Sequence, residues 1–131
     1  MLRHRPTRVP PPPESCPLTE CLSLLGGAWT PNVIWYLRAG PRRFNELRGD
    51  LRGVSAKVLA DRLRRMAADG LITRTELATV PPSVEYELTD FGRELLPAVD
   101  AIVDVGHRIK QHRADAAAAH QLSAAPPATR P

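Results

Sequence analysis

The sequence predicts a mainly α-helical domain that carries one small β-hairpin. Apolar residues recur at helical spacing in several short segments, which glycines and prolines separate. Two segments rich in β-favouring residues, LITRTEL and VEYEL, flank the loop ATVPPS, as expected for two strands joined by a turn. A long apolar stripe follows, and it predicts a final long helix.

Three short helices are predicted in the N-terminal half. The first covers residues 16–25, and the Gly-Gly pair that follows ends it. The second begins at Thr30, which is suited to N-capping, with Pro31 at the first helical position, and it ends at Gly40. The third is a short helix over residues 44–48, which is also ended by a glycine.

The fourth helix has the clearest boundaries. Ser55 is placed to cap its start, and the helix runs to about Asp69, with Gly70 at the C′ position. The preceding segment DLRGVS is a turn in which Gly53 supplies conformational freedom. The apolar residues of this helix fall within about 60° of one another around its axis. They are Leu59, Leu63 and Met66.

The last helix is predicted to begin at Thr89-Asp90 and to be kinked or loosened by Pro97. Its stripe consists of Phe91, Leu95, Val99, Ile102 and Ile109. A helix of this length buries only part of such a stripe against a small core. The rest of the stripe, together with the first helix, predicts a homodimer paired through the N- and C-terminal helices. In the alternative, the last helix folds back onto its own core.

The ends of the chain differ in composition from its middle. Residues 1–15 contain five prolines and three arginines, and residues 114–131 are rich in Ala, Pro and Ser, so both are predicted to be disordered tails. Residues 16–113 are expected to form a single folded domain. We expect a cytoplasmic location, because no apolar stretch approaches the roughly 20 residues that span a bilayer and no secretory signal precedes the domain.

Positive charge is concentrated in one segment. Residues 40–75 hold nine basic and four acidic residues, although the net charge of the whole chain is only +4. Such a cluster is typical of a surface that binds a polyanion, although a solvated basic face has the same composition.

The order of the predicted elements is that of a winged helix-turn-helix, in which the helix after the turn enters the DNA major groove, about 12 Å wide. The face of this helix opposite its apolar stripe is expected to contact bases and phosphates. The candidate residues are Ser55, Lys57, Ala60, Asp61, Arg64 and Arg65. Asp61 either accepts a hydrogen bond from cytosine or orients Lys57 or Arg65, four residues away.

Further contacts to the DNA backbone are predicted around the turn and the hairpin. The candidates are Arg42, Arg43, Arg48, Arg52, Arg62, Arg74 and Thr79. Arg62 lies nearer the buried flank of its helix, where it either packs its stem or holds a phosphate. Arg74 either reaches the minor groove or lies in solvent.

No enzymatic, cofactor or metal site is predicted. The sequence has no Gly-rich phosphate loop after a strand and no local pairing of a nucleophile with a base. His107 and His112 are separated by about 140° around a helix, so they do not converge on one ion. The alternative function is a winged-helix module that binds proteins, but such a module does not need the excess of basic residues.

Four motifs in the same order carry a resemblance to a known family. They are GGAWT at 26–30, RFNEL at 43–47, GVSAKVLADRLRRM at 53–66 and PPSVEYELTDFG at 81–92. Over roughly residues 16–110 the chain resembles the HxlR-type regulators of the MarR-like group. The resemblance implies a homodimeric transcriptional regulator that binds a pseudo-palindromic site in double-stranded DNA. The chain departs from the family at Ala28, where lysine is usual, and at Trp35, where an aliphatic residue is usual.

The resemblance also bears on one of the two cysteines. Some family members use the cysteine of an N-terminal Cys-Pro pair to sense oxidants or electrophiles, and Cys16-Pro17 matches that pair. The start of a helix favours a thiolate, which sensing requires. Cys16 is therefore either a redox sensor or a small residue packed at an interface. Cys21, one helical turn later, is expected to face the core.

Overall fold

The computed structural model describes residues 5–10 and 17–124 of the chain. Its helices and strands follow the predicted order, except that one short strand is added and the last helix is divided in two. They are α1 (Pro17–Leu25), α2 (Thr30–Leu37), β1 (Arg42–Arg43), α3 (Phe44–Asp50), α4 (Ala56–Ala68), β2 (Ile72–Leu77), β3 (Ser83–Leu88), α5 (Asp90–Arg93) and α6 (Leu96–Ala124). Within the described residues, no helix combines the length and apolarity needed to cross a membrane.

The three strands form one antiparallel sheet in the order β1-β3-β2. Strands β2 and β3, with the loop between them, are the predicted hairpin, here called the wing; Ile72 lies opposite Leu88 in its register. Strand β1 was not predicted, because two residues carry no alternating pattern. It pairs with β3 through Arg42 opposite Tyr86. The start of α3 is thereby attached to the wing.

A single apolar core draws on α2, α3, α4 and the sheet. The predicted buried face of α4 is confirmed, since Leu59, Leu63 and Met66 are each at most 1% exposed. On α2, the buried residues include Val33 and Ile34. This burial fixes the rotation of α4 about its own axis and so decides which side chains of α4 face solvent.

The predicted ends of α4 are also confirmed. The hydroxyl of Ser55 accepts a hydrogen bond from the Val58 backbone N–H at 3.1 Å, as an N-cap does. Gly53 in the preceding turn has φ +90°, and Gly70 after the helix has φ +79°. Both values lie in the region that glycine adopts without strain, so the turn and the helix end are set by local sequence.

The start of α2 differs from the prediction. Thr30 is not the N-cap; it is the first residue of the helix and is 1% exposed. The N-cap is Trp29, whose φ of 71° lies in the left-handed region that residues other than glycine rarely adopt. The Trp29 side chain packs against the core. Packing of these two side chains, rather than the capping preference of threonine, therefore sets the start of α2.

The last predicted helix is divided into α5 and α6. Thr89 caps α5 as predicted, because its hydroxyl accepts from the Gly92 N–H at 2.9 Å. The chain leaves the helix between Arg93 and Leu96, ahead of Pro97, which lies in the first turn of α6. A proline in that position has no N–H for the carbonyl four residues earlier and its ring clashes with that carbonyl, so the interruption precedes the proline.

Helix α6 continues beyond residue 113, where the sequence predicts the end of the folded domain. It ends at Ala124, and residues 107–123 are exposed along the whole of that stretch. Residues 116–119 are four consecutive alanines, and alanine has the highest intrinsic helix propensity. Residues 114–123 are therefore helical without contributing to the core, whereas a disordered tail was predicted there.

Candidate nucleic-acid interface

Helix α4 presents a polar face to solvent opposite its buried stripe. Lys57, Asp61, Arg64 and Arg65 are exposed, as predicted. Ala60 is half-buried at the edge of this face. Val58, which the sequence pattern did not single out, is 44% exposed beside the polar residues and is suited to contact with a thymine methyl group.

Two of the arginines on α4 form ion pairs within the helix. Arg64 Nη1 donates to Asp61 Oδ1 at 2.9 Å, and Arg65 Nε donates to Asp69 Oδ2 at 3.3 Å. Asp61 thus pairs with Arg64, three residues further along the helix, and not with Lys57 or Arg65 as the sequence suggested. Exposed pairs of this kind contribute at most about 1 kcal/mol, so a nucleic acid can displace the carboxylates.

The two flanks of α4 differ in what faces them. On one flank a cleft separates α4 from the wing, and it is lined by Ala60, Arg64, Arg74 and Tyr86 among others. On the other flank a groove separates α4 from α1 and the Gly26-Gly27 turn. This second groove, here called the α1/α4 groove, is lined in part by Ser23, Gly27, Thr30, Arg62, Arg65 and Asp69. Arg62, whose position the sequence left open, is half-buried in it.

The basic residues around the turn differ in availability. Arg42 donates to Asp50 through Nε and Nη2, at 3.0 and 2.8 Å, and to Glu46 at 3.3 Å, so its guanidinium already has carboxylate partners. Arg43 is exposed; its backbone N–H donates to Glu46 Oε1 at 2.8 Å, and within the part of the chain that the structure describes no carboxylate pairs with its guanidinium. Arg48 and Arg52 are also exposed. The structure therefore leaves Arg43, Arg48 and Arg52 more accessible than Arg42.

The wing carries two of the candidate residues. Arg74 Nη1 donates to Glu76 at 3.1 Å, and this carboxylate, followed by the Tyr86 hydroxyl, raises the pKa of Arg74. The Thr79 hydroxyl donates to the Pro81 carbonyl at 2.8 Å and lies 3.0 Å from the Ser83 hydroxyl. Thr79 thus holds the loop of the wing in shape, and the fully exposed Val80 forms its tip.

The terminal helices leave apolar side chains uncovered. Leu18 and Leu22 project from α1, and Ile102, Val105 and Ile109 project from α6, each between 44% and 67% exposed. Leu95 and Val99 from the same predicted stripe are buried. The prediction that the core covers only part of this stripe is confirmed.

Comparison with known proteins identifies the family. The sequence profile of the HxlR-like helix-turn-helix family matches residues 24–114. The chain belongs to this family. The HTH-type transcriptional regulator YdeP of Bacillus subtilis is 38% identical to it over 97 residues, which make up 74% of this chain and 76% of YdeP.

Solved structures show the same fold for this HxlR-like protein. A MarR-family transcriptional regulator from Porphyromonas gingivalis gives a TM-score of 0.71 at 33% identity, over 76% of this chain and 97% of that one. The redox regulator HypR in its oxidised form gives 0.67 at 36% identity, over 71% and 96% of the two chains. The predicted winged helix-turn-helix fold and the predicted family are both confirmed.

One departure from the HxlR pattern has a structural role. The Arg38 guanidinium lies 4.5 Å from the centre of the Trp35 ring, close enough for a cation–π contact. Arg38 also donates two hydrogen bonds to the Asp100 carboxylate, at 2.8 and 3.1 Å. These bonds lower the pKa of Asp100 and raise that of Arg38. Trp35 thus supports the ion pair that fastens α6 to α2.

Of the two cysteines of the HxlR-like chain, the structure describes one. Cys16 lies outside the described residues. Cys21 is a free thiol, half-buried and packed against the core, as predicted.

Proposed function

We propose that this HxlR-like regulator binds a pseudo-palindromic site in double-stranded DNA as a homodimer, with α4 in the major groove and the wing along the backbone. The observation that carries the proposal is the exposed face of α4. This face holds Lys57, Arg64 and Arg65 on a helix whose rotation the buried stripe fixes. Bidentate arginine contacts to guanine and cationic contacts to phosphate are the chemistry expected there.

The uncovered apolar faces of α1 and α6 support the homodimer. Residues such as Leu22 and Ile102 form exposed apolar faces on the first and last helices, which a second copy would bury, and neither lies on the polar face of α4. A symmetric dimer presents two α4 helices, and its site is then two-fold symmetric with half-sites about one helical turn, or a small multiple of it, apart. We infer a cytoplasmic place of action from this function.

The test separates base contacts from phosphate contacts. Duplexes enriched from a random pool by the protein itself provide the specific site. Arg64→Ala is expected to cost about 1–3 kcal/mol of specific binding and to relax preference at one position in each half-site. Arg43→Ala is expected to weaken binding to all duplexes alike and to flatten the salt dependence by about one unit for each phosphate that it no longer neutralises. Fluorescence anisotropy at several salt concentrations measures both effects.

Two results would contradict the proposal. Equal losses on enriched and random duplexes for both variants would remove the distinction between base and phosphate contacts. A wild-type protein with no salt-dependent affinity for random duplex would favour the alternative, a winged-helix module that binds proteins.

We propose in addition that oxidation of Cys16 alters DNA binding. The Cys16-Pro17 pair at the start of the domain supports this proposal, as does the similarity to HypR, a redox regulator by its own description. Diamide treatment is expected to change the affinity of the wild type for its enriched duplex and to leave Cys16→Ser unaffected. Cys21→Ser is the matched control and should respond like the wild type. An equal response in Cys16→Ser would mean that Cys16 is an inert packed residue.

A further inference from the structure

The α1/α4 groove contains a cation that pairs with no carboxylate of residues 5–10 and 17–124. Arg62 is half-buried, and its Nε is buried with no hydrogen-bond partner. Among the residues that the structure describes, none forms a hydrogen bond or an ion pair with its guanidinium. The carboxylates nearest along α4 are already engaged, Asp61 by Arg64 and Asp69 by Arg65. A partly desolvated charge in this state is unfavourable until an anion reaches it.

Gly27 provides the space that this guanidinium occupies. A Cβ atom at residue 27 would lie 2.6 Å from Arg62 Cζ and 2.9 Å from Nη2, and it would also overlap Nη1. Contacts below 3.0 Å force one of the groups to move. The backbone of Gly27 lies outside the positive-φ region, so alanine is compatible with its conformation. An added methyl group therefore displaces the end of the Arg62 side chain and not the backbone.

The position of the groove indicates which anion approaches Arg62. A helix in the major groove has a phosphate backbone on each side, since the groove is only about 12 Å wide. The wing and Arg74 lie along one flank of α4, and the α1/α4 groove lies along the other. Arg62 and Arg65 are the cations of that second flank. Arginine binds phosphate oxygens through two parallel N–H groups, and a guanidinium with free Nη groups supplies them.

We propose that Gly27 is a positioning residue for the DNA interface, because its missing side chain seats the Arg62 guanidinium in the α1/α4 groove, where it binds a backbone phosphate. This inference rests on the proposed DNA-binding function, and it assigns a phosphate contact to the second flank of α4, the one that faces the α1/α4 groove. It also connects the Gly26-Gly27 turn at the end of α1 to the DNA surface through one side chain.

A double-mutant cycle, with binding measured on random-sequence duplex, tests whether Gly27 positions the Arg62 guanidinium. The variants are Gly27→Ala, Arg62→Ala, their combination, and Gly49→Ala as the matched control. A Cβ at Gly49 meets nothing within 4 Å. We expect Arg62→Ala to reduce the slope of log affinity against log salt by about one unit per protomer. Gly27→Ala should weaken binding in the wild-type background and have no further effect when Arg62 is absent. Gly49→Ala should bind as the wild type does.

Thermal unfolding of the same four proteins separates DNA binding from folding. Gly27→Ala is expected to unfold within a few degrees of the wild type, because only a flexible side chain moves. If Gly27→Ala weakens DNA binding equally with and without Arg62, then Gly27 does not act by positioning Arg62. If Arg62→Ala binds duplex with the affinity and the salt dependence of the wild type, Arg62 does not contact a phosphate. The proposed function would still stand in that case, provided that the wild type binds duplex in a salt-dependent way. Inorganic phosphate is the last test. If it stabilises the wild type but not Arg62→Ala against unfolding, and Arg62→Ala binds duplex as tightly as the wild type, then the groove binds a free anion and the DNA contact is rejected.

Discussion

Helices α4 and α6 use their apolar residues in opposite ways. Every member of the α4 stripe is buried within its own chain, whereas most of the α6 stripe beyond Val99 is left exposed. The position of α4 is therefore determined by a complete intramolecular core. The position of α6 depends on a short contact at its start, on the Arg38–Asp100 pair and, in the proposed dimer, on the second copy. The part proposed to contact DNA is thus rigid within each protomer, and the part proposed to join the protomers is completed only by assembly.

The largest effect should come from opening the α4 core. Leu63→Ala removes a side chain that is 1% exposed, so it is expected to lower the free energy of unfolding by about 2–5 kcal/mol. Leu122→Ala is the matched control, because Leu122 is 80% exposed on α6 and its removal should change stability by less than about 0.5 kcal/mol. Urea unfolding followed by circular dichroism measures both. Similar effects for the two variants would contradict the contrast between the helices.

An intermediate effect is expected where α6 meets the proposed second copy. Ile102→Glu places a charge on the uncovered apolar face, so the variant should sediment as a monomer and should melt independently of protein concentration. Gln121→Glu adds the same charge near the end of α6 and should leave the dimer intact. A dimeric Ile102→Glu protein would show that this face of α6 does not join the protomers.

The smallest effect should come from the ion pair between α6 and α2. Hydrogen bonds from Arg38 lower the pKa of Asp100, so the charged carboxylate stabilises the fold at neutral pH. This contribution is lost as pH falls through the lowered pKa of the folded state. Asp100→Asn should therefore be slightly less stable than the wild type at pH 7, and the difference should disappear in acid. A difference that does not vary with pH between 7 and 3 would mean that the carboxylate charge is not responsible.

The features of the fold that depend on local sequence were predictable. The stripe of Leu59, Leu63 and Met66 follows from helical periodicity, and Ser55, Gly53 and Gly70 follow from capping and turn chemistry. Each of these signals is local, because the residues that form the sequence pattern are the same residues that are buried, that cap the helix or that form the turn.

The features that depend on distant partners were not predictable. Strand β1 exists because Arg42 meets Tyr86, which is remote in sequence. Thr30 does not take its expected capping role, because Trp29 packs against the core. In the candidate site, exposure on α4 followed from periodicity. The pairing of Asp61 with Arg64 instead of Arg65 did not, since spacings of three and four residues are close in energy.

The length of α6 has a mechanical consequence. From Asp100, where the helix is fastened to α2, to its end at Ala124, it extends for roughly 36 Å at about 1.5 Å per residue. The exposed end is then a lever arm whose fulcrum is the Arg38–Asp100 pair. A tilt of about 5° at the fulcrum displaces the tip by roughly 3 Å. A rearrangement too small to disturb the core next to Trp35 is thereby amplified to nearly the width of an atom at the far end of the molecule.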